Sequence, residues 1–106
     1  MESRPDFLVS ANLYVPESGR FAPPYPGVLV PCGHAHVAKA HDEYQSMGAL
    51  LALNGMVGLV FDPLDQGERQ QYQRDDGSRP YYGTHMHMQE GVIATLLGEG
   101  LMQYFA

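Results

Sequence analysis

The sequence predicts an α/β fold with three strands, one right-handed strand–helix–strand crossover and a carboxyl-terminal helix. Two short apolar runs, residues 27–30 and 56–61, have the length and composition of buried strands. The segment between them, residues 39–53, has apolar and small residues at helical spacing and is followed by Asn54-Gly55, a helix stop signal. Strand, helix and strand in this order predict a parallel pair joined by a crossover. The predicted buried face of the helix consists of Tyr44, Met47, Gly48, Leu51 and Ala52.

One further strand and one further helix flank this unit. Apolar residues at every second position from Phe7 to Val15 predict a first strand, which ends in a turn after Pro16. Residues 66–84 are mostly polar and predict a long surface loop with a turn at residues 75–78. The last segment predicts a helix from Met86 to Phe105, although its glycines lower the helix propensity. Its apolar residues at helical spacing are Met88, Val92, Leu96, Leu97, Leu101, Tyr104 and Phe105.

The composition narrows the classes of function. A chain of 106 residues that is 44% hydrophobic predicts one domain with a packed core. Six basic against twelve acidic residues, net charge −6, argue against a nucleic-acid partner. The sequence has neither an apolar run of about 20 residues for a membrane span nor a signal-peptide pattern at its start. We therefore expect no membrane partner. The single cysteine, Cys32, excludes an internal disulfide and is typical of a reducing compartment, so we expect a cytoplasmic protein.

The densest polar cluster is Cys32-Gly33-His34-Ala35-His36, directly after the second predicted strand. Open α/β sheets bind ligands at the carboxyl ends of their parallel strands, so position alone makes this cluster the leading candidate for a site. The alternative that stays open at this point is a tight turn at Gly33 whose histidines only face the solvent.

A nucleotide-phosphate site is the first rival interpretation of this loop. Residues 33–40 imitate a phosphate-binding loop between a strand and a helix. However, Ala38 stands where the backbone needs glycine to approach phosphate, and Ala40 lacks the hydroxyl that would hold magnesium. The sequence also contains no dinucleotide-binding G-x-G-x-x-G, so we predict no nucleotide cofactor.

A metal site is the second rival. Two His-x-His pairs, residues 34–36 and 85–87, together with His41 and Cys32, are of the ligand types that zinc prefers. Neither Cys-x-x-Cys nor His-Glu-x-x-His accompanies them, so we predict no metal cofactor. A non-catalytic α/β module that binds a metal or a partner through these His-rich loops stays open as an alternative function.

A catalytic nucleophile is not evident in the chain. No serine lies in the G-x-S-x-G elbow that exposes a nucleophilic hydroxyl. Cys32 follows a buried strand with no clear helix amino terminus behind it, an environment in which a thiol is usually inert. The five serines are Ser3, Ser10, Ser18, Ser46 and Ser78.

Two motifs at a fixed separation resemble a known superfamily. The first motif consists of residues 31–36 with Lys39-Ala40 and is followed by a helix. The second motif is Phe61-Asp62-Pro63-Leu64-Asp65-Gln66-Gly67-Glu68-Arg69. Through these two motifs the sequence resembles the α/β-hydrolase superfamily, in particular its acetyl-xylan-esterase and dienelactone-hydrolase-like branch. The resemblance extends from about Phe7 to Ala106. Two departures from the family pattern are Ala38 for the glycine of Gly-Lys-Ala and Asp65 for the first glycine of Gly-Gln-Gly. Aspartate tolerates a left-handed backbone, so we expect the second turn to persist.

The resemblance implies an ester-cleaving serine hydrolase without a cofactor. In this interpretation, a backbone N–H of His34 or Ala35 belongs to the oxyanion hole, which stabilises the charge that develops on the ester carbonyl. Residues expected to border the pocket are Gly33, Asp62, Gln66, Glu68 and Arg69, the last two as structural or substrate-side charges. A small-molecule ester is the implied substrate.

The resemblance also implies that the domain is partial. Residues 1–106 correspond to the amino-terminal portion of the α/β-hydrolase fold, and the nucleophile, acid and catalytic histidine would follow Ala106, so His85 and His87 are not expected to act as triad members. The three strands would lie in the order first, third, second, with an apolar edge at the second strand. We therefore expect the isolated chain to be inactive and to self-associate through exposed strand edges.

Overall fold

The computed structural model describes residues 1–80 and 84–104, and these form an α/β fold with a mixed three-stranded sheet. A separate two-stranded hairpin precedes the sheet, and short 3-10 turns cover Ala38–Ala40 and Leu101–Tyr104. Neither described helix is both long and apolar enough to cross a membrane. The elements are β1 (Glu2–Arg4), β2 (Phe7–Leu8), β3 (Ala11–Tyr14), β4 (Gly27–Pro31), α1 (Asp42–Leu53), β5 (Val57–Phe61) and α2 (Thr84–Leu96).

The most apolar strand, β5, lies at the centre of the sheet. It pairs in parallel with β4 and antiparallel with β3, and its Leu59 lies opposite both Leu29 and Leu13. Along the sheet the strands therefore lie in the order β3, β5, β4, which correspond to the first, third and second predicted strands. The parallel pair predicted from the two apolar runs is confirmed, and the carboxyl ends of β4 and β5 meet at one edge of the sheet.

The predicted first strand is divided into two. Val9, which is almost fully buried, exchanges backbone hydrogen bonds with Met1 beside the hairpin. One residue later the chain changes partner, because the carbonyl of Ser10 accepts from the N–H of Asp62 at 3.0 Å. The prediction of one continuous strand was wrong, since alternation of apolar residues does not reveal a change of neighbour.

One face of the sheet is open to solvent. Leu29 and Leu13, which flank Leu59 in register, are 70% and 62% exposed. The apolar run that forms β4 predicted a buried strand, and this prediction was wrong for the face that carries Leu29. The described chain is also extended, with a radius of gyration of 16.0 Å, against about 13 Å for a closely packed domain of this length. Self-association of the isolated chain through exposed strand edges stays a prediction.

Helix α1 begins three residues later than predicted. Lys39 is buried in a 3-10 turn, and His41 caps the helix, its Nδ1 accepting from the N–H of Glu43 at 3.4 Å. Within this turn the N–H and the Nζ of Lys39 both donate to the carboxylate of Asp62. Gly48 faces the sheet as predicted, whereas Met47 is 47% exposed and not on the buried face.

Gly48 allows α1 to lie close to the sheet, and we predict that Gly48→Ala destabilises the protein. A Cβ there would lie 2.4 Å from the ring of Tyr14. Alanine normally stabilises a helix by about 1 kcal/mol relative to glycine, but overpacking costs about 1–3 kcal/mol. Urea unfolding should show a lower free energy of unfolding. The control is Gly91→Ala in α2, where the nearest atom would be 3.9 Å away and stability should rise; a rise at both positions would contradict the prediction.

The buried face of α2 is not its most apolar face. Met88, Val92 and Leu96 are 69%, 60% and 81% exposed, so the predicted apolar stripe faces solvent. The face that is buried carries Met86, Glu90 and Ala94, which also recur every fourth residue.

The predicted carboxyl-terminal helix is shorter than expected. It ends at Leu96 because Gly98 adopts a left-handed backbone, φ 78°, and the N–H of Glu99 donates back to the carbonyl of Ala94. Phe105, where the helix was predicted to end, lies outside the described residues.

The predicted surface loop is buried at its start. Gln66 and Arg69 are 2% and 4% exposed, so the polar composition of residues 66–84 was misleading there. The turn at residues 75–78 is confirmed, with Gly77 donating to the carbonyl of Arg74 at 2.8 Å. Residues 81–83 of this predicted loop lie outside the described residues.

Candidate functional site

Two loops meet at the carboxyl ends of β4 and β5, and backbone amides of the first are held by side chains. The N–H of Gly33 donates to the Tyr44 hydroxyl at 2.6 Å, and the N–H of Ala35 donates to Gln66 Oε1 at 2.8 Å. Between them, the N–H of His34 has no acceptor among residues 1–80 and 84–104. The loop therefore presents one uncommitted amide in a backbone that is fixed on both sides.

A buried ionic network joins this first loop to the second. Asp62, which is fully buried, accepts from Lys39 Nζ at 2.6 Å and from the Lys39 N–H at 2.9 Å. It also accepts from the Ser10 hydroxyl at 2.7 Å and from the Glu68 N–H at 3.1 Å. One carboxylate thus joins the residue before β3, the 3-10 turn before α1 and the loop after β5.

The ionic network keeps both of its buried charges. Burial alone raises the pKa of Asp62, but hydrogen bonds from Lys39, Ser10 and Glu68 outweigh it and hold the pKa below its ordinary value. Burial lowers the pKa of Lys39, but its bonds to Asp62 and Glu68 leave the pKa above its ordinary value. The aspartate contribution to stability is therefore present above the ordinary carboxyl pKa and is lost as the pH falls through the lowered one.

The second loop makes a tight turn at Asp65, one of the two positions where the sequence departs from the pattern it resembles. Asp65 and Gly67 have φ of 55° and 56°, so the expected left-handed turn is present. The buried guanidinium of Arg69 donates to the Asp62 carbonyl at 2.9 Å and lies 5.1 Å from the ring centroid of Phe7. These contacts give Arg69 a structural role and leave it little access to a substrate.

The predicted pocket residues separate into buried and accessible ones. Asp62, Gln66 and Arg69 are buried beneath the surface, whereas Gly33 and the side chain of Glu68 are exposed. A cleft of about 440 Å³ lies beside the second loop, and Glu68 is the predicted residue that lines it. The cleft is lined by Asn12, His36, Val37, Lys39, Ala40, Gly67, Glu68 and Arg79.

Helix α2 reaches the first loop through a histidine pair. His87 Nδ1 lies 2.9 Å from His34 Nε2, and His87 Nε2 lies 2.8 Å from the carbonyl oxygen of Leu64. Because a carbonyl only accepts, His87 donates from Nε2 and its Nδ1 accepts from His34. This chain of hydrogen bonds orients the side chain of His34 and fixes α2 beside the uncommitted amide.

The rival chemistries receive little support from the geometry. Burial raises the pKa of the Cys32 thiol to about 11, with the charge of Asp62 adding to the effect and Lys39 opposing it. A thiol in this state is not a nucleophile. Within residues 1–80 and 84–104, no group of three or more His, Cys, Asp or Glu side chains is arranged to hold a metal ion.

Several residues of the site were not predicted. Asp62 was expected to border the pocket, but its burial and its pairing with Lys39 were not predicted, because the two residues are 23 positions apart in the sequence. Tyr44 and Ser10 gave no usable signal, because nothing local distinguishes a hydroxyl that bonds a distant loop. His87 was named as part of a His-x-His pair, but its contact with His34 was not predicted.

Comparisons with known proteins identify no relative of this chain. No family model, no curated protein and no solved structure matches it. The geometry of the two loops is therefore the basis for assigning a function.

Gln66→Ala is expected to expose the Ala35 amide to solvent exchange. The substitution removes the acceptor at 2.8 Å, and leaving a partly buried donor unsatisfied costs about 1–3 kcal/mol. Amide hydrogen exchange should show a faster rate at Ala35, while Gln71→Ala, which shortens an exposed side chain nearby, should leave that rate unchanged. An unaltered rate in Gln66→Ala would show that the side chain does not hold the loop.

Proposed function

We propose that this chain is the amino-terminal part of an α/β-hydrolase-fold serine hydrolase that cleaves carboxylic esters, and that its His34–Ala35 loop supplies the oxyanion hole. The observation that carries the proposal is the His34 N–H without an acceptor among the described residues, at the carboxyl end of a parallel strand. A fixed amide dipole at such a position stabilises a developing oxyanion without reorganisation.

The order of the strands supports the same proposal. The sheet has the order first, third, second, which is the order that the resemblance implies. The loops at residues 33–36 and 62–69, which carry the two motifs, lie side by side and are joined through Asp62 and Gln66. The motifs are thus neighbours in space as well as at a fixed separation in the sequence.

The chemistry divides between this chain and a part outside it. When a serine attacks the ester carbonyl, negative charge moves to the carbonyl oxygen, and the His34 N–H donates to that oxygen. The Ala35 N–H contributes only after Gln66 moves away. The second donor, the serine, its histidine and the acid belong to the proposed remainder of the enzyme, because Ser10 is committed to Asp62 and the other serines lack the elbow motif.

The test begins with the coding DNA beyond codon 106. A continued frame that encodes G-x-S-x-G, an acid and a histidine is expected, and the natural polypeptide should react with a fluorophosphonate probe and hydrolyse p-nitrophenyl acetate. In that polypeptide His34→Pro removes the N–H and should lower kcat by about 100-fold or more. His34→Ala keeps the N–H and is the matched control. An immediate stop codon would overturn the enzyme proposal for this product.

A further inference from the structure

Helix α2 and the loop after β5 meet through two buried carboxyl groups. Asp65 and Glu90 are 6% and 8% exposed, and their carboxyl groups are neighbours inside the protein, close enough to share a proton. Asp65 Oδ2 and Glu90 Oε2 are both buried, and no donor reaches either atom within the described part of the chain. Two ionised carboxylates can only accept, so this contact requires one shared proton.

The charges around the pair favour this single proton. Arg69 is the cation that acts on both carboxyls, and Asp62 shares its influence. Asp65 is committed on its other side, because its Oδ1 accepts from the N–H of Gln71 at 2.7 Å. The single positive charge of Arg69 is already shared with Asp62, so it cannot compensate two more negative charges on Asp65 and Glu90. One of these two carboxyls therefore stays neutral. Tyr72 and Glu99 line the shallow cavity beside Glu90 and add no positive charge.

The direction of titration agrees with this geometry. Burial raises the pKa of Glu90 to about 8, the hydrogen bond and negative charge of Asp65 add to the effect, and Arg69 opposes it. Glu90 is therefore the group that holds the proton at neutral pH.

The same part of α2 carries the contact to the first loop. Glu90 follows His87 by three residues, so the two side chains lie on adjacent positions of one helix face. Their partners, Asp65 and the carbonyl of Leu64, are consecutive in the chain. Docking of Glu90 on Asp65 thus holds His87 in place against His34.

We propose that Asp65 and Glu90 form a one-proton switch that docks α2 on the loop after β5 and releases it when the proton is lost. Release moves His87 away from His34 and frees the loop that carries the uncommitted amide. The switch itself stands on the docking contacts alone, whereas its effect on ester hydrolysis rests on the function proposed above.

The sign of the pH dependence follows from linkage. A released Glu90 has the ordinary carboxyl pKa of 4.5, whereas the docked one has a pKa of about 8. The docked state therefore binds one more proton between these values, and docking is strongest below the lower one. The docking equilibrium constant falls about tenfold per pH unit across this window and levels off above it.

The test is a titration of the 106-residue protein by NMR. We expect the Glu90 side-chain carboxyl carbon to titrate above pH 6. The hydrogen-exchange protection factors of the α2 amides should fall as the pH rises from about 4.5 to about 8. Glu90→Gln keeps a donor for Asp65 but cannot ionise, so the protection of α2 should become independent of pH. Glu17→Gln removes an equal charge from an exposed turn far along the chain and should keep the wild-type dependence.

Two results would overturn the switch. One is a Glu90 carboxyl that titrates near 4.5 in the wild-type protein, a measurement that does not depend on any variant. The other is a pH-dependent α2 in Glu90→Gln, which would assign the effect to the histidines. Asp65→Asn gives a second check, because its amide donates to ionised Glu90 and should lower the Glu90 midpoint. None of these readouts requires esterase activity, so the switch and the proposed function fail separately.

Discussion

Replacing Asp62 with asparagine is expected to lower the free energy of unfolding by about 3–5 kcal/mol, the largest effect of any conservative substitution that we predict for this chain. The size of the side chain hardly changes, so the loss reports charge and hydrogen bonding. Lys39 Nζ would lose its fully buried partner at 2.6 Å, and an amide group would stand where four donors now meet a carboxylate.

The second partner of Lys39 provides the control. The side chain of Glu68 is 74% exposed, so its ion pair with Lys39 is screened by solvent. Glu68→Gln should therefore cost about 1 kcal/mol or less. Urea unfolding followed by circular dichroism measures both variants. Equal losses in the two variants would mean that Lys39 depends on its exposed partner and that the buried pair is not the centre of the network.

A double variant isolates the charge pair from the remaining hydrogen bonds. Adding Lys39→Met to Asp62→Asn removes the uncompensated ammonium, and part of the lost stability should return. Full recovery is not expected, because Asp62 also accepts from Ser10 and from the N–H of Glu68.

Gly67→Ala is expected to lower the free energy of unfolding by about 2–5 kcal/mol, the second largest effect. The residue has φ 56°, where an L side chain is strained, and its Cβ would lie 2.4 Å from Asp62 Oδ2. Strain contributes about 1–2 kcal/mol, and the displacement of a buried carboxylate adds about 1–3 kcal/mol. The substitution thus acts on the ionic network that joins the two loops.

Gly77→Ala separates these two causes. Gly77 has φ 78°, but a Cβ there would meet open space, so only the strain of about 1–2 kcal/mol applies. The same urea experiment compares the variants, and one-dimensional NMR of Asp62-contacting residues shows whether the network moves. If both alanine variants lose equal stability, close approach to Asp62 is not the reason for glycine at position 67.

Local patterns in the sequence were sufficient for the regular elements at the centre of the fold. The apolar runs of β4 and β5 and the helical spacing of α1 predicted these elements, because burial on a sheet or against a helix imposes a period that is readable in a short window. The motif residues also predicted that the loops at positions 33–36 and 62–69 belong to one site, and both lie at the carboxyl ends of the parallel pair.

The burial of polar residues was decided by the tertiary structure. Asp62 and Lys39 are 23 residues apart in sequence, and no local pattern indicates that two charges far apart in the chain will compensate each other inside the protein. Gln66 looked like a surface residue for the same reason, because its acceptor role depends on Ala35 in another loop.

Helix α2 shows most clearly which features of the fold a local sequence pattern cannot predict. Its sequence determined that a helix forms, and its more apolar stripe predicted which face would be buried. In the structure the face with Glu90 is buried instead, and Met88 and Val92 are exposed. Helix formation depends on neighbours three or four residues away, so the sequence by itself determined it. The choice of face depends on the partners that the rest of the chain offers, here Asp65 and Leu64, and only the tertiary structure could decide it.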